Sequence, residues 1–358
     1  MATGLSTHMT KSLQGVLPKL AAVTQSKPSS ADVIDLSSAE NLLVRDQVRS
    51  ICTAAIQNHL TSDVLSQLPT FGGDVDTRTA LASFFNNFFR PASTVSVDQI
   101  VLTAGAGSCI EALVHSICDE GDSVIIPGPY WFGFEPYITL RPKVNIITAT
   151  PISYEHHATD MLATLRATYV ATENPQRIKA VILCNPHNPF SQCYPENILR
   201  ACMNFCQKLN LHFISDELYA LATMKSTQEQ SPKFISALSV APDPKDTNEM
   251  IDPSLVHIVW SASKLFGLNG LRILFEECGI EYLPAHEGLF VFAKLGKKVR
   301  NAEEEMIFFE KLKIDGVTVS PGRFYNGLST EFGWARITVA VPLEIVEVAL
   351  ERLSKCIS

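Results

Sequence analysis

Along the middle of the chain, stretches with a helical rhythm of apolar positions alternate with short unbroken apolar runs. Ile110, Leu113, Val114 and Ile117 recur at the spacing of one helix face, which predicts an amphipathic helix over residues 108–118. Residues 195–209 predict another, with Pro195 in its first turn. Compact apolar runs lie at 99–103, 123–126, 143–148, 179–184, 211–214 and 256–260, several closed by turn residues such as Pro127-Gly128-Pro129 and Asn185-Pro186. Such runs read as strands buried on both faces. Strands alternating with helices predict an α/β fold, a mostly parallel sheet covered by helices.

The end of the chain has a different pattern. Residues 302–312 and 343–353 read as helices, the second through Leu343, Val346, Leu350 and Leu353, with strands at 317–319 and 334–339 between them. This predicts a separate α+β module. Residues 223–232 and 241–254 are rich in Ser, Pro, Asp, Lys and Gln and read as surface loops.

Composition narrows the function classes. A chain of 358 residues can bury two domain cores. Its net charge of −8 and lack of a basic run argue against nucleic-acid binding. Residues 1–20 lack the apolar stretch of a secretory signal, and no stretch is long and apolar enough to span a bilayer. The nine cysteines form no CxxC pair, which suits reduced thiols in a cytoplasmic protein. Cys202 and Cys206 are one helical turn apart, but Ile198, Phe205 and Leu209 beside them make a core stripe, so no metal site is expected.

In an open α/β sheet, ligands bind beyond the carboxyl ends of the strands. Ala104-Gly105-Ala106-Gly107-Ser108 follows one such end and opens a helix, where small residues let backbone N–H groups approach a phosphate. The others are followed by Pro129-Tyr130-Trp131, Asn185-Pro186-His187-Asn188-Pro189, Asp216-Glu217-Leu218-Tyr219 and Ser261-Ala262-Ser263-Lys264. Each has an ordinary alternative. Gly105-Ala106-Gly107 could open a dinucleotide fold, but Ile110 stands where the third glycine belongs. Ser261-x-x-Lys264 could be a serine acyl-enzyme motif, but the chain has no K-T-G element. Asp216 could cap a helix, and Trp131 could be a core residue.

Taken together, Ser261-x-Ser263-Lys264-x-x-Gly267-Leu268-x-Gly270-x-Arg272, Asn185-Pro-x-Asn188-Pro, Asp216-x-x-Tyr219 and Pro129-Tyr-Trp131 resemble, in order, the motifs of the class I/II aminotransferases. The resemblance runs from about residue 34 to 353. It implies the pyridoxal 5'-phosphate (PLP) fold type I, with a large domain over 60–273 and a smaller one from 1–59 plus 274–358. It implies that Lys264 carries PLP as a Schiff base and serves as acid and base. Asp216 would keep the pyridine nitrogen charged. Asn188 and Tyr219 would donate to the ring's phenolic oxygen, and Trp131 would stack on the ring. The backbone of Ala106 and Gly107, the hydroxyls of Ser261 and Ser263, and the Arg272 guanidinium would hold the phosphate. Gly333-Trp334-Ala335-Arg336 is similar to the segment whose arginine grips the substrate carboxylate. Leu36-x-x-Ala39-Glu40-Asn41 resembles the 1-aminocyclopropane-1-carboxylate (ACC) synthase-like branch, which makes Glu40 a substrate contact. An amino-acid substrate and a homodimer are implied, with either an ACC synthase-like lyase reaction or amino transfer as the outcome.

Three features depart from the family pattern. The G-I-x-Y strand at Gly279-Ile280-Glu281-Tyr282 follows Ile273 almost at once, where relatives carry a long helical segment. Phe71 stands where a tyrosine reaches the partner subunit's phosphate, and Ser191 replaces a glycine. These support a rival reading, a catalytically impaired PLP-binding member. A third reading, a nicotinamide dehydrogenase built on Gly105-Ala106-Gly107, leaves Lys264, Asp216 and Asn188 without a role.

Overall fold

The computed structural model describes residues 4, 6–25, 32–62, 71–222, 232–242, 251–265, 281–283, 285 and 287–357. The loops expected at 223–232 and 241–254 therefore lie largely outside the described residues, as do Gly267 to Arg272 of the lysine motif.

The strands are β1 (Ile34–Asp35), β2 (Ser123–Pro127), β3 (Asn145–Ala149), β4 (Ile178–Cys184), β5 (His212–Asp216), β6 (Val256–Val259), β7 (Glu281–Leu283), β8 (Phe290–Lys294), β9 (Val317–Thr318), β10 (Ser320–Pro321) and β11 (Trp334–Thr338). β2 to β6 form one sheet in the order β3-β2-β4-β5-β6, parallel throughout. Because side chains alternate across a strand, the unbroken apolar runs feed two cores. Val124, Ile126, Ala180, Ile182, Ile214 and Val259 face one side, under Ile110 and Val114 of helix Ala106–Ile117. Ile125, Ile178, Val181, Leu183 and Phe213 face the other, with Leu165 of Met161–Ala171 and with Leu199, Cys202 and Cys206 of Glu196–Lys208. The cysteine pair is thus part of a core. Burial pushes the Cys202 thiol up to about 12 and the Cys206 thiol well above its ordinary range.

The run at 99–103 does not become a strand. Val97–Gln99 forms a 3-10 turn, Leu102 N donates to Gly72 O at 2.9 Å, and Val101 is exposed. With only Ile100 buried, the segment has too little apolar surface to join the sheet.

A second sheet, β10-β11-β8-β7, is antiparallel, and β1 pairs with β9. Helices Ala302–Ile314 and Leu343–Ile357 cover it, burying Phe309, Leu312, Val346, Leu350 and Leu353 against Val291, Ala293, Ala335 and Ile337. Asn301 caps the first of these by accepting from Glu304 N at 2.9 Å, with Glu303 to Glu305 in its first turn and Lys311 and Lys313 in its last. Leu36, far away in sequence, is fully buried in the same core. Among the described residues no helix is long and apolar enough to cross a membrane.

Candidate active site

β4 and β5 lie side by side with Cys184 opposite Asp216, so both strands deliver their last residues to one place. There a cavity of about 350 Å3 opens, its wall completed by residues 37–40, by the start of helix Ala106–Ile117 and by Arg336 of β11.

Asp216 is buried, and its carboxylate accepts from Leu218 N at 3.3 Å. Burial pushes its pKa up to about 6, against the lowering effect of hydrogen bonds from Leu218 and Cys184. The next residue fixes the turn. Glu217 accepts from Ser215 Oγ at 2.9 Å, Ser236 Oγ at 2.6 Å and Ala237 N at 2.8 Å. Burial still raises its own pKa to about 7. Tyr219 is buried two residues on, edge-on to Phe290 at 5.0 Å. Burial raises its phenol, so the hydroxyl keeps its proton and can donate.

Lys264 ends the 3-10 turn Ala262–Lys264 that follows β6. Its Nζ donates to Ala39 O at 2.6 Å. Burial and the nearby Arg336 charge lower its pKa, while Glu40 acts in the opposite direction. A lowered pKa makes the free amine, the nucleophilic form, more accessible. Arg336 is itself buried. Nη1 donates to Asn188 Oδ1 at 3.2 Å and Nη2 to Ser37 O. The guanidinium carbon lies 4.8 Å from the Phe290 ring centre and 5.5 Å from that of Tyr325. Its Nε is buried with no hydrogen-bond partner among the described residues. Because the Asn188 carbonyl is occupied by Arg336, the asparagine's amide N–H groups are what it can offer the cavity.

The expected phosphate cradle is only partly assembled. Ala106 and Gly107 line the cavity at the first helical positions, where backbone N–H groups have no partner in their own helix. Gly105, before them, has φ +91°, a conformation that favours glycine. A Cβ on Gly107 would lie 2.2 Å from the Tyr137 ring, so the close approach depends on its absence. Trp131 also lines the cavity, packed over Gly133, where a Cβ would fall 2.2 Å from the indole. Ser261 and Ser263 do not reach the described cavity wall. Their hydroxyls bond each other at 2.8 Å, and Ser261 Oγ accepts from Ser263 N at 3.2 Å to cap the turn. Arg272 lies outside the described residues. Glu40 stands at the cavity, exposed and paired with Arg45. Of the departing positions, Phe71 is fully exposed, and Ser191 is buried with φ 54°.

Some contacts at the site carry no side-chain signal. Ala39 and Ser37 act through backbone carbonyls, which sequence does not reveal. Cys184 could have been found from the expected neighbouring strands, since parallel pairing sets it opposite Asp216. The set suits a pyridoxal phosphate. Among the described residues Asp216 is a buried carboxylate with no cation paired to it, fit for a pyridinium nitrogen. An amine, a helix start and an aromatic ring share its cavity.

Residues 31–273 match the sequence family described as aminotransferase class I and II. A probable aminotransferase of Leptosphaeria maculans, sirI, is 32% identical, with 98% of this chain and 97% of that protein covered. That alignment runs over 413 positions, and a chain of 358 residues leaves at least 55 of them without a residue here. The 1-aminocyclopropane-1-carboxylate synthase 6 of Arabidopsis thaliana is 30% identical over 67% of this chain and 48% of its own length. Among solved structures, an aspartate aminotransferase from Thermus thermophilus with maleate has the same fold, with a TM-score of 0.73, 18% identity, and 99% of this chain and 100% of that one covered.

Proposed function

Since the chain belongs to the aminotransferase class I and II family and is a PLP-dependent enzyme of the PLP fold type I, we propose that Lys264 and Asp216 hold the cofactor between them and that Arg336 grips an α-amino acid. The observation that carries this is a single cavity containing an amine of lowered pKa and a buried carboxylate. When bound, the cofactor withdraws electrons from the substrate Cα and so acidifies its hydrogen.

The chain's own groups do the rest. Asp216 keeps a proton on the ring nitrogen. Asn188 and Tyr219 donate to the phenolic oxygen. The N–H groups of Ala106 and Gly107 would take the phosphate, whereas the Ser261 and Ser263 hydroxyls are bonded to each other away from that wall. Trp131 covers the ring. Arg336 orients the α-carboxylate through its fork of donors, aligned by Asn188 and Ser37. With its amine free, Lys264 would take the substrate Cα proton and return it. Glu40 contacts the substrate at the cavity mouth. The reaction is then either amino transfer or an ACC synthase-like elimination. Incubation with an amino acid plus a 2-oxo acid, and separately with S-adenosylmethionine, distinguishes them by product.

The large domain spans 60–273 and the smaller one 1–59 plus 274–358. A cytoplasmic homodimer is part of the same reading; sedimentation of the holoenzyme tests the dimer. The decisive measurement is the visible spectrum of protein loaded with PLP, for the wild type and for Lys264→Ala. The band of the lysine-bound cofactor must be present in the first and missing in the second. A second reading, a PLP-binding member with impaired turnover, rests on the 55 or more missing positions. It predicts that band with no product from either incubation.

A further inference from the structure

The geometry points to an amino acid with an uncharged aromatic side chain as the substrate, and we infer this on the basis of the cofactor and Arg336 roles proposed above. Among the described residues four charged side chains line the cavity: Lys264, Asp216, Arg336 and Glu40. The first two are committed to the cofactor and Arg336 to the α-carboxylate. Among the described residues only Glu40 remains to face a side chain, and its charge is already paired with Arg45. The nearby cations are engaged elsewhere, Arg45 with Glu40 and Arg323 with Glu305 at 3.6 Å.

Much of the remaining wall is aromatic. Phe132 follows Trp131, Phe324 precedes Tyr325, and all four rings line the cavity. The Tyr325 hydroxyl donates to Ser320 Oγ at 2.8 Å, so what it presents is ring surface. A charged side chain would be desolvated among these rings, with no uncommitted ion of opposite sign to receive it among the described residues. A phenyl or phenol ring would instead gain edge or stacked contacts.

The test uses the PLP-loaded enzyme and follows the lysine-bound cofactor band. In single turnovers the ratio of rate to half-saturating concentration should be at least about 100-fold higher for L-phenylalanine or L-tyrosine than for L-aspartate or L-glutamate. Phe324→Ala and Phe132→Ala should each weaken selection of L-phenylalanine over L-alanine by about 10-fold. A second measurement needs no turnover: shifts of the same band should show 3-phenylpropionate binding at least about 10-fold tighter than succinate. Preference for L-aspartate, L-glutamate, L-lysine or succinate overturns the inference, as does unchanged selection in both variants. Absence of the band in the wild type would overturn the cofactor reading beneath it, which separates the two failures.

Discussion

Asn188 and Arg336, 148 residues apart in the chain, are joined by a hydrogen bond of 3.2 Å from Nη1 to Oδ1. The bond ties the loop after β4 to the middle of β11, and so ties the proposed ring contact to the proposed carboxylate grip.

Arg336→Lys replaces a fork of donors with a point charge and removes the bond to Asn188. Half-saturating amino-acid concentration should rise by roughly 10- to 100-fold, with the maximal single-turnover rate much less affected. Asn188→Ala in that background should cost less than it does in the wild type, because the shared bond is already gone. Full additivity of the two changes would show that the residues act separately.

Asp216 makes cofactor-free protein sensitive to pH. Its pKa is raised to about 6 in the fold, above the ordinary 3.8, and Glu217 and Glu287 are raised from 4.5 to about 7. A folded pKa above the unfolded one gives stability that is fully present below the unfolded value and lost as pH rises through the folded one. Apo-protein stability should therefore fall between about pH 4 and pH 7. Asp216→Asn should remove its share, making apo protein at pH 8 roughly 1–3 kcal/mol more stable while weakening PLP binding. Urea unfolding across pH and a PLP titration measure both. An apo variant less stable than wild type at pH 8 would refute the assignment.

Gly107→Ala should cost PLP affinity. The added methyl would fall 2.2 Å from the Tyr137 ring, forcing the helix start or the ring aside. A loss of about 10-fold or more is expected, with partial recovery in the Gly107→Ala, Tyr137→Ala double variant. Equilibrium titration of apo protein with PLP reads both, and no recovery would mean that the methyl blocks the phosphate itself.

Ser191→Gly should stabilise the fold by about 1 kcal/mol. Ser191 has φ 54° and a buried hydroxyl with no partner among the described residues, while its backbone holds His187 O at 2.7 Å and Glu287 N at 2.9 Å. Glycine keeps both backbone bonds and removes the strain. A lower urea midpoint than wild type would show that the hydroxyl has a use.

Much of the large sheet was legible in sequence, because β2, β4 and β5 are buried on both faces and read as unbroken apolar runs. The run at 99–103 looked the same but is largely exposed, and burial by distant partners leaves no local signature. Lys264, Asp216, Asn188, Trp131 and Arg336 were found by motif, and they share one cavity. Ser261 and Ser263 were found the same way but bond to each other. Ala39 O and Ser37 O were invisible in advance: any residue has a carbonyl, and only the folded path brings these two to Lys264 and Arg336.

That path works as a ruler. Leu36 is rooted in the core of the smaller sheet, Ser37 holds the guanidinium, and Ala39 holds the amine. The two polar tethers therefore hang from one root at a separation set by two peptide units. Deleting a single residue between 36 and 39 would pull the Lys264 amine and the Arg336 guanidinium out of step together.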